Sequence, residues 1–168
     1  MKNYSQAKLD ELVRCAKIVT QPPKREMSLD RGAMRNDMEL TSANGEEVFE
    51  VFLRQSEAFP ENFSIGLIWR PREDPERVCL IRCNGPHGEF LGQPSGLTPH
   101  YGHHIHLATE ASIAAGEKPE GTAGLTTEFA SFEQAIAFFI VRCNLPDAWQ
   151  YFPQAKPAPL FDKLENQT

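Results

Sequence analysis

The sequence predicts an α+β fold: a four- to five-stranded antiparallel sheet with an N-terminal and a C-terminal amphipathic helix on one of its faces. Three observations carry this. Helical periodicity of apolar residues is confined to the two ends of the chain. Alternation with a period of two fills the middle. The breaks between alternating segments are short, which makes consecutive strands neighbours.

Residues 5–19 predict the first helix. Leu9, Leu12, Val13 and Ala16 recur at helical spacing, Ser5 can cap the start, and Gln21-Pro22-Pro23 stops it. Residues 35–41 read as a strand, followed by a turn at Ser42-Ala43-Asn44-Gly45, whose Asn-Gly pair supplies the positive φ of a tight hairpin. In 47–54, Phe49, Val51 and Leu53 face one way and Glu50 and Arg54 the other. In 63–70, Phe63, Ile65, Leu67 and Trp69 share one face, opposite Ser64, Gly66 and Arg70. Residues 77–83 are apolar on both faces, as in a central strand. A Gly- and Pro-rich loop, 84–103, follows. Residues 104–108 read as a short strand and 109–115 as a short helix ended by Gly116. Ser131 and Gln134 fit a capping box, and Phe132, Ala135, Ile136, Phe139, Ile140 and Cys143 form the apolar stripe of the last helix. One domain, 1–149, is expected, with 150–168 as a flexible or docking tail.

Composition narrows the function classes. The 168 residues carry a net charge of −6 with a pI near 5.4, which argues against broad, charge-driven binding of nucleic acid. Four cysteines without a CxxC pair, charges throughout the first twenty residues and no long apolar run predict reduced thiols, a cytoplasmic location and no membrane span.

All five histidines lie between positions 87 and 106: His87, His100, His103, His104 and His106. Clustering of near-neutral titrating groups is what a site produces. His104 and His106 flank Ile105, so a strand places both imidazoles on one face, with Cα atoms about 6.6 Å apart. His103 then points to the other face. His87 and His100 join only if the loop folds back over Arg82.

The segments 47–54, 63–70 and 77–83 carry Arg54, Arg70 and Arg82 at or near their ends, and a meander brings Arg54 and Arg82 to one edge. Arginine binds phosphate bidentately and histidine can act as base and acid. The leading expectation is therefore a phosphodiesterase or ribonuclease working without a cofactor. His104 and His106 share proton transfer, Arg82 and Arg54 hold the phosphate, Asn84 positions substrate or fixes a histidine tautomer, and His87 and His100 close the site. Glu110 and Glu128 are the candidate carboxylate partners. Two alternatives stay open. One is a divalent metal such as zinc on His104, His106 and His100. The other is a non-enzymatic module that binds a protein partner, a phage component or a second copy of itself as a homodimer.

The stretch CLIRCNGPHG…HYGHHIHLATE, followed by ASFEQAIAFFIVRCNL, resembles a bacterial and phage domain family across roughly residues 35–145. That family shows a strand ending R-x-N-G-x-H-G, a loop, an H-x-H strand and a closing amphipathic helix. More distantly, the layout is similar to the small TumE-type toxins of toxin–antitoxin pairs. Those share a strand ending R-x-D/N-N/G, then PHH-x-H and a short helix; the comparable positions are Arg82, Asn84, His87, His103, His104 and His106. The chain is longer than those toxins, begins with an additional helix and is acidic. The resemblance implies an RNA substrate and an antitoxin partner.

Overall fold

The computed structural model describes residues 4–72, 75–87 and 99–157. The Ser5 side chain accepts a hydrogen bond from the Lys8 amide and starts helix α1, Gln6–Arg14. The predicted helix ends five residues early. Lys17–Gln21 is instead strand β1, because the β-branched run Ile18-Val19-Thr20 fits a pleated edge better than a helix. Strand β2, Ser28–Asp30, precedes β3, Ala33–Ser42. The Asn44-Gly45 turn, with Gly45 at φ 72°, leads into β4, Val48–Ser56. β5 is Phe63–Arg70, β6 Val78–Asn84 and β7 His104–Leu107. Helix α2 spans Glu110–Ala114 and strand β8 Ala123–Leu125. Helix α3 spans Phe132–Arg142, its start capped by Ser131.

All the strands join one antiparallel sheet in the order β1-β3-β4-β5-β6-β7-β8, with β2 also paired to β3. The α+β class and the antiparallel sheet are as expected; the count of four or five strands is not. Eight are present among the described residues. The unexpected ones, β1, β2 and β8, are three to five residues long and too short to show a periodicity.

Alternation divides the sheet into two unlike faces. Met38 and Leu40 on β3, Phe49, Val51 and Leu53 on β4, Phe63, Ile65, Leu67 and Trp69 on β5, and Cys83 on β6 are buried in one core. Leu9, Leu12 and Val13 of α1 and Phe132, Ala135, Ile136, Phe139 and Ile140 of α3 belong to the same core. The residues between them on each strand form a second, polar face. The register aligns Arg35, Arg54, Ser64, Asn84 and His104 in one row across that face, and Asp37, Phe52, Gly66, Arg82 and His106 in the next.

Strand β6 needs a bulge to do this. Ile68 pairs with Cys79 but Leu67 pairs with Ile81, so Leu80 is an extra residue. Leu80 and Ile81 are both buried, which is why this strand reads as apolar on both faces. Past the bulge the phase is reversed, and Arg82 and Asn84 fall on the polar face with Cys79.

The expected tail begins as packed chain: Phe152 and Ala155 are buried in the core cluster. Residues 158–168 lie outside the described residues, as do Gly88, Gly92, Pro94 and Gly96 of the Gly/Pro-rich loop.

Candidate functional site

The site is built on the last two residues of the polar face of β6, on β7, and on the chain to either side. Asn84 pairs with His104 and Arg82 with His106 across the β6–β7 ladder, so these four side chains form a square on one face. The rings of His104 and His106 lie 5.1 Å apart, centroid to centroid. His103, one residue earlier, points to the core side and meets Phe63 and Phe129.

His87 and His100 arrive from the two ends of the loop, and the His87 amide donates to the His100 carbonyl at 2.8 Å. The His87 and His100 rings stack at 4.9 Å, and both approach His104, at 4.9 and 4.8 Å. His100 also lies 5.7 Å from His106. Four of the five histidines therefore converge. His104 and His106 are almost fully buried, and His87 and His100 partly exposed.

Backbone carbonyls fix two of the tautomers. His104 Nδ1–H donates to the Gly102 carbonyl at 2.8 Å and His106 Nδ1–H to the Glu120 carbonyl at 2.9 Å. Carbonyls only accept, so in each neutral ring Nε2 carries a lone pair. His104 Nε2 lies 3.2 Å from His87 Nε2. Asn84 Nδ2 lies 3.2 Å from both, and Asn84 Oδ1 accepts from the Ser64 hydroxyl at 2.8 Å. His106 Nε2 is buried and has no hydrogen-bond partner.

Three of the imidazoles, His87, His104 and His106, are shifted toward the neutral form. Burial, with Arg82 and the neighbouring rings adding to it, pushes His104 and His106 down to about 4. Burial and the His100 ring also lower His87. Neutral imidazole with an outward lone pair is the form that binds a metal. The ligand atoms of His87, His100 and His104 all lie within 4.8 Å of one another.

Arg82 belongs to the same site. Its Nε is buried without a partner, and among the described residues the guanidinium makes no ion pair. The structure does not bring Arg54 to it. Arg54 lies two strands away, donating to Asp37 at 2.8 Å and to the Asn36 and Leu53 carbonyls. Arg70 is held by Glu39 and Glu50. Glu110 accepts from the Gln6 amide at the start of α1, and Glu128 lines a groove beside α3; neither meets the histidines.

Sequence reasoning missed the groups that orient the site. Ser64 holds Asn84, and its place on the polar face was readable from strand alternation. The Gly102 and Glu120 carbonyls act through the main chain, so no side chain signals them.

No known protein family matches the chain, and no curated protein or solved structure matches it, so the histidine cluster is interpreted from its own geometry.

Proposed function

We propose that the cluster is a metal centre and that the chain is a metal-dependent hydrolase. His87, His100 and His104 are the ligands and water completes the shell. The observation that carries this is the 3.2 Å approach of His87 Nε2 to His104 Nε2, beside a third imidazole. His104 Nε2 has no hydrogen to share. Two nitrogens bound tetrahedrally to one zinc at about 2.0–2.1 Å lie about 3.3 Å apart, which fits the spacing. An all-imidazole donor set suits zinc, copper, nickel or iron rather than calcium or magnesium. Three protein ligands with an open position are the catalytic form of such a site. The metal would lower the pKa of its water to near 7 and supply hydroxide as nucleophile.

The test is metal analysis of the purified protein. About one equivalent of transition metal is expected after zinc loading and dialysis, with loss in His104→Gln and in His87→Gln. Substoichiometric zinc in the wild type, or full zinc in both variants, would sink the proposal.

A second reading is supported by the shared face and 5.1 Å separation of His104 and His106. Here the two rings work without metal as base and acid on an RNA phosphodiester, the substrate implied by the resemblance to TumE-type toxins, with an antitoxin as partner. His87 Nε2–H then donates to His104 Nε2. RNA cleavage that survives a chelator but fails in His106→Ala would favour it.

A further inference from the structure

Beside the three proposed ligands, the site keeps two polar groups that no described residue satisfies. Arg82 Nε and His106 Nε2 are both buried and both without a hydrogen-bond partner. They sit on adjacent strands as register partners, on the same face, with Cβ atoms expected about 5 Å apart. A buried guanidinium nitrogen without a hydrogen-bond partner is costly, and beside a cluster of imidazoles it is a place for a ligand to answer it.

The surroundings define what that ligand is. Glu120, whose carbonyl holds His106, gives its carboxylate to Lys118 at 3.0 Å. Asp37, the acid in the Arg82 row, is paired with Arg54. No described carboxylate therefore neutralises Arg82. On the β5 side its neighbour is Gly66, over which the Phe52 ring lies so closely that any Cβ there would strike it. That ring closes the flank away from the histidines. Among the described residues, the cross-strand partner on the other side of Arg82 is His106.

We infer that Arg82 forms an anion subsite for a phosphate-ester substrate, and that the His106 Nε2 lone pair accepts a hydrogen bond from a protonated oxygen of the phosphate. The inference rests on the metal reading only for the nucleophile; the subsite itself stands on Arg82 and His106. A guanidinium with no ion pair among the described residues suits a phosphoryl group, whose oxygens its planar fork binds two at a time. In the hydrolytic step a water oxygen forms the new P–O bond as the bond to the ester oxygen breaks; a metal held by His87, His100 and His104 would supply that water in its more acidic form. The departing alkoxide takes up the proton that the water gave to solvent, so water and ester become phosphate and alcohol.

The experiment is calorimetric titration of the zinc-loaded protein with inorganic phosphate, methyl phosphate and dimethyl phosphate, with acetate as control. At least one phosphate species binds saturably, acetate does not compete, and Arg82→Gln weakens binding at least tenfold while zinc content stays at one equivalent. The species that binds best separates a monoester from a diester substrate. Where Arg82→Gln fails to fold, His106→Gln provides the comparison for inorganic phosphate and methyl phosphate, the species that carry a proton for its Nε2 to accept. Undiminished phosphate affinity in a folded variant, preference for acetate, or no phosphate binding to zinc-loaded wild type would overturn the subsite. Arg82-dependent phosphate binding by a wild type that takes up no zinc would leave the subsite standing and remove the metal; zinc uptake without phosphate binding would do the reverse.

Discussion

At the scale of the residue, the decisive choices concern protonation and the absence of a side chain. His104 and His106 hold their protons less firmly than a free imidazole, pushed down to about 4 chiefly because they are buried. In the unfolded chain they titrate near 6.5. Between about 6.5 and 4 the unfolded chain therefore binds more protons than the folded one, and stability falls as pH falls. Denaturant titrations of metal-free protein across that range should show the loss, complete below about 4. His104→Gln and His106→Gln should each flatten it; an unchanged slope in both would contradict the assignment. Gly85 makes a different demand. A Cβ at this position would run into the Glu61 carbonyl and the Phe63 ring, so Gly85→Ala should destabilise by about 1–3 kcal/mol in urea unfolding. From sequence alone Asn84 reads as a residue that positions substrate or fixes a histidine tautomer. Asn84 is in fact buried between two histidines, and Gly85 lets the chain pass close enough for it to be there.

At the scale of the element, Lys17 does what no helix-forming rule foretells. It is 1% exposed, and its ammonium donates to the Val13 and Cys15 carbonyls at the end of α1 and to the Cys143 carbonyl at the end of α3. A positive charge at two helix C-termini answers both dipoles and several carbonyls that would otherwise be orphaned. Lys17→Met would leave three of them buried and should cost at least about 2 kcal/mol in urea unfolding; a neutral outcome would mean that water replaces the ammonium. The elements themselves differ in how far the sequence reveals them. β5 lies where its alternation places it, and α3 starts where its capping box places it, because each depends on neighbours along the chain. β1 is hidden because the apolar helical spacing of α1 runs on through Ala16 and outweighs the short β-branched run after it, whose pairing with β3 decides the strand. The face of Arg82 was likewise hidden, because it depends on a bulge set by β5.

At the scale of the whole molecule, the site draws on β6, β7 and both ends of the intervening loop, so a ligand there ties together parts of the chain that local structure does not. A metal that binds the folded form alone, at about a thousand times its dissociation constant, adds about 4 kcal/mol. For a domain of this size that raises Tm by about 10 °C. Thermal melts with zinc and with chelator should differ by that order in the wild type and coincide in His104→Gln; coincident wild-type melts would argue against a resident metal. The convergence of His87 and His100 with the H-x-H strand was legible only as a condition, since spacing along a chain cannot say whether a loop returns. That no described helix is long and apolar enough to cross a membrane was legible directly from composition.

The two unlike faces of the sheet have a consequence for how this chain can change. Along β5, β6 beyond its bulge, and β7, alternate residues belong to two separate inheritances, one holding the molecule together and the other doing its chemistry. Point substitutions can therefore reshape the histidine site while leaving the core untouched. Length changes have no such freedom. Inserting or deleting one residue between Ile81 and Asn84, unless another bulge absorbs it, would turn the reactive set inward and the greasy set outward together. An insertion series through β6 should show folding and ligand binding lost together after one added residue, and folding recovered first after two.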